Sequence, residues 1–296
     1  MQKAKVYFTR NITPENVIKM YEVLERPLKG NVAVKVHSGE KGNQNYLHPE
    51  FMRPMIEHIK GTVVECNTAY PGARNDTIHH QKLMEEHGWS KYFNVDIMDS
   101  EGPDIEFAIP KGEIIKKNYV GKHLENYDSL LVISHFKGHP AGGFGGSLKQ
   151  LSIGCASTAG KVYIHTAGQT TDQSKFWDFF ANQEDFTAAM AEAASTVMDY
   201  FKGKDAYINV MCNLSVDCNC CEKAEDPCMA DIGILSSLDP VALDQACVDL
   251  VYNSNDPGKD HLIERTESQK GINILTTAAK LGIGSREYEL IDVDDV

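Results

Sequence analysis

The sequence contains no run of basic residues longer than the pair Lys116-Lys117. Acidic residues dominate its charge, because 42 Asp and Glu against 29 Lys and Arg give a formal net charge of −13. Proteins that bind duplex nucleic acid or an anionic membrane surface normally present a basic face. We therefore expect neither nucleic acid nor a membrane as a partner, and the acidity is typical of a soluble protein surface.

Long apolar runs are also missing, since none approaches the about 18 residues that indicate a membrane-spanning helix. The first residues do not resemble a signal peptide, because residues 1–5 lead directly into a short apolar run at 6–8. These absences predict a cytoplasmic location, where thiols stay reduced. The chain has eight cysteines, and in such a compartment a dense cluster of them is expected to form a metal or redox site rather than a disulfide framework.

Internal repeats and low-complexity tracts are absent, and short apolar segments alternate with helix-like segments along the 296 residues. The apolar segments predict strands at 4–8, 32–36, 62–65, 129–134, 161–164 and 206–211. The other segments predict helices at 14–24, 49–59, 76–88, 147–151, 185–202 and 239–252. The alternation predicts an α/β fold, with a mostly parallel sheet flanked by helices in a single domain, 1–296. Two lobes around a central cleft, with a boundary near residue 204, are the alternative.

A cluster of cysteines follows the last predicted strand and comprises Cys212, Cys218, Cys220, Cys221 and Cys228. Cys218 and Cys220 are two positions apart, so in extended chain both sulfurs point to the same side. Thiolates favour zinc, copper(I) or iron–sulphur clusters. The spacing matches neither a ferredoxin run nor a zinc ribbon, which leaves the metal open. Unrelated free thiols and a redox thiol switch are the alternatives.

A stretch rich in histidine and glycine follows the predicted strand 129–134 and enters the short predicted helix 147–151. Because alternate residues of an extended chain share a face, the side chains of His135, Lys137 and His139 are expected to point the same way. Gly145 and Gly146 precede a helix start whose N–H groups suit a carboxylate or phosphate. The stretch is not a P-loop, since Gln150 follows the lysine. The candidate catalytic residues are His135, Lys137, His139 and Lys149, with His165 at the end of predicted strand 161–164.

Further cationic side chains follow two other predicted strands. Lys35 and His37 lie at the end of strand 32–36, and Arg74 lies in the polar loop after strand 62–65. In parallel sheets such strand ends form the ligand-binding edge. These three residues are therefore candidates for binding a small anion, for which an arginine offers paired N–H groups. Solvated loops and a tight, solvated strand–helix turn are the alternative interpretations of all these stretches.

Several motifs together resemble one protein family, and they occupy residues 36–43, 67–74, 86–89, 134–139, 143–151, 231–235 and 239–246. The family is the domain of unknown function 362 family, also called the iron–sulphur centre protein family, and the resemblance covers nearly the whole chain. It implies an iron–sulphur cluster, such as 4Fe–4S, or another metal centre. Within it, Cys218 and Cys220 match the family's cysteine motif, whereas Cys221 and Cys228 are additional. The ferredoxin-type repeats that many members carry are missing here. Residues 135–149 are also faintly similar to the catalytic domain of nickel-dependent lactate racemases.

Taken together, these patterns predict a bacterial protein that binds a metal or an iron–sulphur cluster, with zinc expected in aerobic preparations. The main hypothesis is a redox or metal-assisted enzyme, an oxidoreductase or an isomerase, that acts on a small anionic substrate. The alternatives are a non-catalytic electron-transfer or metal-carrying module that docks on a redox partner protein, and a structural zinc site. The main hypothesis requires that the sulfurs near position 220 and the imidazoles near position 137 share one hollow.

Overall fold

The computed structural model describes residues 3–295. Within this range the strands are β1 Ala4–Thr9, β2 Val32–Lys35, β3 Thr62–Glu65, β4 Val95–Ile97, β5 Ile105–Ala108, β6 Lys117–Val120, β7 Ser129–His135, β8 Lys137–His139, β9 Gly143–Gly145, β10 Asp205–Met211, β11 Gly233–Ser237 and β12 Tyr288–Asp292. The α-helices are α1 Pro14–Glu22, α2 Pro49–Ile59, α3 Thr77–Glu86, α4 Trp89–Tyr92, α5 Ser147–Lys149, α6 Thr158–His165, α7 Gln183–Tyr200, α8 Pro240–Tyr252, α9 Lys259–Ser268 and α10 Ile272–Leu281. Short 3₁₀ turns lie at Lys122–Asn126 and Gln173–Lys175, and a π-helical turn lies at Gln150–Gly154.

Eight strands form one sheet in the order β12-β1-β11-β10-β7-β2-β3-β4. Neighbours from β10 to β4 are parallel, while β11 is antiparallel to both β1 and β10. The predicted α/β fold with a mostly parallel sheet is therefore confirmed. The chain runs outward from β2 to β3 and β4 and then returns to the other side of β2 at β7. Such a reversal leaves a crevice at the carboxyl ends of the strands, where α/β sheets bind ligands.

The central strands are buried because helices cover both faces of the sheet. All seven residues of β7 are buried, and they alternate between two hydrophobic cores. Leu130 and Val132 pack into one core with α7 and α8, whereas Leu131 and Ile133 pack into the other with α1 and α2. Packing of helices on both faces fixes the positions of the strand ends, and the polar loops of the site begin there.

Helix starts follow the expected capping chemistry. Pro240 occupies the first turn of α8, and the Asp239 carboxylate accepts hydrogen bonds from the N–H groups of Val241 (2.9 Å) and Ala242 (3.0 Å). Pro49 likewise occupies the first turn of α2, although His48 before it makes no capping side-chain hydrogen bond, and this helix has the predicted bounds. The two helices pack on opposite faces of the sheet, α8 in one hydrophobic core and α2 in the other.

The predicted strand 161–164 is wrong, because these residues belong to α6. Ser157 caps that helix by accepting a hydrogen bond from the N–H of Gly160 (3.1 Å). A short apolar run cannot be distinguished from a buried helix face by periodicity alone. The predicted helix 147–151 forms as α5 and continues into the π-helical turn. The possible lobe boundary near residue 204 stays a prediction, and that residue immediately precedes β10.

Among residues 3–295, every helix is too short or too polar to cross a bilayer.

Candidate functional site

The site is built where four parallel strands end. Lys35 closes β2, Glu65 closes β3, and the chain beyond β7 leads into the short hairpin of β8 and β9. The segment after β10 contains the clustered cysteines, and we call residues 212–228 the cysteine loop. The fold thus brings the cysteine loop and the histidine-glycine stretch to the same edge of the sheet.

Two sulfurs of the cysteine loop are joined in this structure, since Cys218 and Cys220 form a disulfide. One bond between neighbouring residues is not a disulfide framework, and both sulfurs lie on the same side of the chain, as the spacing predicts. Cys218 is fully buried and accepts a hydrogen bond at Sγ from the N–H of Cys220 (3.2 Å). Cys220 is half-buried and faces the histidine-glycine stretch.

His139 completes a potential metal-binding group with this pair. Its Nε2 lies 3.8 Å from the sulfur of Cys220, and the ligand atoms of His139, Cys218 and Cys220 all lie within 4.8 Å of one another. Nδ1 accepts hydrogen bonds from the N–H groups of Gly142 (2.9 Å) and Ala141 (3.2 Å), so the neutral ring carries its proton on Nε2. Burial, with Lys149 and Lys137 nearby, lowers the pKa of His139 well below its usual value and keeps it neutral.

His135 and Lys137 lie beneath this group and do not line the cavity described below. His135 Nε2 donates to the backbone oxygen of Cys212 (2.5 Å), and its Nδ1 lies 2.9 Å from the side-chain amide of Asn219. Lys137 donates from Nζ to the backbone oxygen of His135 (2.6 Å). Burial, followed by Lys137, lowers the pKa of His135 to about 3. Through these contacts His135 connects β7 to the cysteine loop, and its side chain does not reach the cavity.

The cysteine loop is also anchored by the segment after β2. The N–H of Glu40 donates to the backbone oxygen of Asn219 (2.8 Å). Asn43 donates from its side-chain amide to the backbone oxygens of Cys221 (2.9 Å) and Cys218 (3.3 Å). Residues of the 36–43 motif therefore hold the cysteine loop in position.

The five clustered cysteines do not converge on one point. Cys212 and Cys228 are outside the group of mutually close ligand atoms, and Cys228 donates from Sγ to the backbone oxygen of Leu214 (3.2 Å). Cys221 is half-buried and lines the cavity next to Cys220. Of the five, Cys218 and Cys220 belong to the group of close ligand atoms with His139, and a ligand role for the other three stays a prediction.

A cavity of about 490 Å³ opens beside the His139 group and contains most of the predicted anion-binding residues. Its wall includes His139 and Cys220 from the potential metal group. The predicted residues that also line it are Lys35, His37, Arg74, Lys149, His165 and Cys221. Residues that the sequence did not single out include Glu65, Gln150, Lys161, Tyr70, Phe176, Trp177 and Phe180.

Lys35 and Glu65 form a buried ion pair on the floor of the cavity. Lys35 Nζ donates to Glu65 Oε2 (2.7 Å) and to Gln150 Oε1 (2.9 Å). Burial alone would raise the pKa of Glu65, but Lys35 and Arg74 lower it to about 2. Glu65 is therefore ionised at neutral pH, and it holds Lys35 in a fixed position.

Arg74 lies on the neighbouring wall and is paired with a second carboxylate. Its Nε donates to Glu40 Oε2 (3.1 Å), while its Nη1 lies 4.0 Å from Glu65 Oε1. His37 lines the same region, and burial followed by Arg74 lowers its pKa well below the usual value. The carboxylates of Glu40 and Glu65, which both face Arg74, thus neutralise part of the positive charge at this wall.

Lys149 and Lys161 supply the remaining positive charge. Lys161 Nζ donates to the backbone oxygen of Ala156 (2.5 Å), whereas Lys149 Nζ has no hydrogen-bond acceptor among the described side chains and backbone. Burial first, and then Arg74 and Lys35, lower the pKa of Lys149 to about 7. An amine with this pKa holds or releases a proton readily near neutral pH.

The N–H groups that directly follow the glycine-rich turn are already bonded within the protein. The N–H groups of Ser147 and Leu148 donate to the carboxylate of Asp244, at 2.8 Å and 2.9 Å. A Cβ at Gly146 would lie 2.4 Å from Asp244 Oδ1, so only glycine allows this approach. Asp244 thus occupies the N–H groups at the start of α5, and the binding of a substrate anion by Gly145 and Gly146 stays a prediction.

His165 lies at the end of α6, not at the end of a strand, and joins an aromatic wall of the cavity. Its ring stacks on Phe186 with centroids 4.6 Å apart and an interplanar angle of 22°. Its Nδ1 donates to the backbone oxygen of Lys161 (2.6 Å), and burial lowers the pKa of His165 to about 4. His165 is thus a neutral, packed ring rather than an acid–base group.

Two thiolates and a neutral imidazole suit a single transition-metal ion with one open coordination position. A closed structural zinc site would require a fourth protein ligand, and a 4Fe–4S cluster would require four thiolates. Among the residues described, the ligand group supplies only three donors. The residues therefore fit one ion at the cavity wall once the Cys218–Cys220 disulfide is reduced.

Two solved structures are similar to this chain, both at low sequence identity. The lactate racemase apoprotein from Thermoanaerobacterium thermosaccharolyticum matches with a TM-score of 0.40 and 14% identity, covering 70% of this chain and 51% of its own. A protein from Thermotoga maritima matches with a TM-score of 0.41 and 11% identity, covering 90% of this chain and 59% of its own. This chain spans little more than half the length of either structure.

No curated protein sequence matches the chain. The family model described as Domain of unknown function (DUF362) matches residues 32–249, which include the strand ends, the histidine-glycine stretch and the cysteine loop. The resemblance seen in the sequence motifs is therefore confirmed over most of the chain. The protein belongs to the DUF362 family.

Proposed function

We propose that this protein is a metal-dependent enzyme that acts on a small anionic substrate bound in the cavity. The observation that carries the proposal is the shared wall, because His139 and Cys220 line the same cavity as Lys35, Arg74 and Lys149. A bound substrate would therefore meet both the metal ligands and a surplus of positive charge. The reaction class that fits best is proton transfer next to a polarised carbonyl or carboxylate group.

Cys218 and Cys220, as thiolates, and His139 would hold the ion. Such an ion supplies Lewis-acid polarisation of a substrate oxygen when bound. Lys35 and Arg74 are fixed by Glu65 and Glu40, and they attract and orient an anionic group. Lys149 is free of such a partner, so its Nζ can take a proton from the substrate and return it.

Two changes in the protein must precede metal binding. Reduction of the Cys218–Cys220 disulfide consumes two electrons and two protons, and the thiols then lose their protons as they bind the cation. His139 must also move its proton from Nε2 to Nδ1, which requires the N–H groups of Ala141 and Gly142 to turn away. The proposal therefore predicts activity only in a reducing environment.

Hydrogen exchange tests the proposed chemistry without knowledge of the natural substrate. The reduced protein, loaded separately with Zn²⁺, Ni²⁺ or Fe²⁺, is incubated in D₂O with a panel of small carboxylic acids that carry an acidic C–H bond. Proton NMR then follows deuterium incorporation, which Lys149→Met should abolish and Lys111→Met, a change at an exposed lysine, should leave intact. Absence of exchange with every metal and acid would argue against proton-transfer chemistry.

A thiol–disulfide module that docks on a redox partner protein is the second candidate. The observation that favours it is the disulfide itself, with half-buried Cys220 reachable and Cys218 buried behind it. A partner thiolate would attack Cys220 Sγ and release Cys218, whose sulfur already accepts the N–H of Cys220. Equilibration with glutathione buffers distinguishes the two, because this candidate requires reversible two-electron exchange in metal-free protein and no turnover of small acids.

A further inference from the structure

We infer that the substrate carries an apolar ring beside its anionic group, an inference that rests on the proposed function and names its substrate class. The cavity has two chemically different walls. Lys35, Arg74 and Lys149 contribute cations on one, and an aromatic wall formed by His165, Phe176, Trp177 and Phe180 faces the same space. A ligand that satisfies both walls must combine negative charge with a flat apolar surface.

One ring of the aromatic wall is unusually exposed. Trp177 is 69% exposed, although large aromatic side chains are normally well buried. Its indole stacks on Phe180 with centroids 5.9 Å apart and an interplanar angle of 12°. Phe176 packs edge-on against the same indole at 4.7 Å. The indole is therefore held in one orientation by two neighbouring rings while much of its surface stays open to a ligand.

The segment that carries these rings is fixed to both sides of the site. Gln173 donates from its side chain to the backbone oxygen of Ala69 (3.1 Å), in the loop that leads to Arg74. The N–H of Ala181 donates to the backbone oxygen of His165 (2.9 Å) at the end of α6. Phe176 also packs against Ala69. The aromatic wall and the Arg74 loop are thus one connected structure, which preserves the spacing between ring and anion.

The size of the cavity supports the same conclusion. A volume of about 490 Å³ lies within the range of about 300–1,000 Å³ that holds drug-sized ligands. An acid of two or three carbons would contact the cations and leave the aromatic wall exposed to water. Aryl carboxylates of about ten to fifteen heavy atoms fill such a space better and gain aromatic stacking as well as ionic contacts.

Three simple probes separate the contributions of ring and anion. Isothermal titration calorimetry of the reduced protein uses 3-phenylpropionate, propionate and 3-phenylpropanol, which carry both features, the anion alone and the ring alone. We expect 3-phenylpropionate to bind at least about tenfold more tightly than either of the others. Trp177→Ala should weaken 3-phenylpropionate about tenfold and leave propionate unchanged.

The matched control is Phe179→Ala, because Phe179 is 41% exposed in the same segment but does not line the cavity. This variant should bind 3-phenylpropionate like the original protein. Equal affinity for propionate and 3-phenylpropionate, no measurable binding of 3-phenylpropionate, or equal effects of the two substitutions would overturn the inference. Metal uptake is measured in parallel: a reduced protein that takes up no Zn²⁺, Ni²⁺ or Fe²⁺ but still prefers the aryl acid would refute the proposed metal chemistry and leave the inferred ligand class standing.

Discussion

At the scale of single residues, Lys149 is the side chain whose acid–base behaviour is most useful near neutral pH. Burial and the nearby cations Arg74 and Lys35 lower its pKa to about 7. The neutral amine therefore prevails above pH 7 and the ammonium below it. Any exchange reaction that uses Lys149 as a base should accelerate as the pH rises through 7 and level off above it.

This pKa can be measured directly. Biosynthetic labelling of lysine with ¹³C at Cε reports buried as well as exposed side chains, and NMR follows each Cε signal through a pH titration. We expect one signal to titrate near pH 7, to disappear in Lys149→Met and to persist in Lys111→Met. If every labelled lysine titrated above pH 9.5, the assignment of Lys149 as a proton carrier would be wrong.

Glu65 is the second residue whose environment makes a measurable prediction. Removing its charge in Glu65→Gln leaves Lys35 buried without an anion, which should cost about 3 kcal/mol of unfolding free energy at pH 7. The folded pKa of Glu65 is about 2, below the unfolded value of about 4.3. Its contribution is therefore present above pH 4.3 and is lost as the pH falls toward 2.

Urea unfolding at several pH values tests this prediction. The control is Glu57→Gln, because Glu57 pairs with Arg53 at the surface and both side chains are about half exposed. That substitution should change the unfolding free energy by less than about 1 kcal/mol. Equal losses in both variants would show that Lys35 and Glu65 do not form a strong buried pair.

At the scale of elements, the start of α5 depends on Asp244 of α8. Its carboxylate accepts from the N–H groups of Ser147 and Leu148 and from the amide of Asn209 (2.7 Å). Asp244→Ala would leave these buried donors unpaired, so we expect a loss of about 3 kcal/mol in urea unfolding. Asp226→Ala, a change at an exposed position, is the control and should have little effect.

Asp244 should change the pH dependence of the unfolding free energy in the opposite direction to Glu65. Burial raises its pKa to about 6, above the unfolded value of about 3.9. The folded state therefore binds more protons than the unfolded state between these pH values, and this residue's contribution to stability decreases as the pH rises through them. An Asp244→Ala variant that was as stable as the original protein would contradict the role assigned to the carboxylate.

The link between β7 and the cysteine loop is a second element-scale feature. His135 bonds both Cys212 and Asn219, and so it positions the neighbouring sulfurs without reaching the cavity. We expect His135→Ala to weaken metal binding by about 10–100-fold, as is typical when a group that orients metal ligands is removed. Competition with a chromophoric chelator measures this affinity. His58→Ala, at the partly exposed end of α2, should leave it unchanged, and an unchanged affinity in His135→Ala would refute the positioning role.

At the scale of the whole molecule, the sequence patterns predict the sheet well because its strands are short, apolar and separated by turn residues. β2, β3, β7 and β10 lie close to their predicted positions, and α2 has the predicted bounds. α6 was missed because a four-residue apolar run fits a strand and a buried helix face equally well. Tertiary packing, which the local sequence does not contain, decides between them.

The site is predictable only where strand ends carry unusual residues. That rule identifies Lys35, Arg74, Lys149 and His139. It cannot show that Asp244, from a distant helix, accepts hydrogen bonds from the N–H groups at the start of α5. Glu65 was also missed in the sequence, although a charged residue at the end of the apolar strand β3 was a usable signal. Convergence of only two sulfurs out of five depends on loop geometry, and spacing alone does not reveal it.

Metal analysis of protein purified anaerobically with a reductant tests the central claim most directly. Elemental analysis should give about one transition-metal ion per chain, with loss of the ion in Cys218→Ser and His139→Ala and retention in Cys228→Ser. Oxidation of the Cys218–Cys220 pair should release the ion. A reduced, folded protein that contains no metal and takes up none from Zn²⁺, Ni²⁺ or Fe²⁺ would contradict the proposed centre.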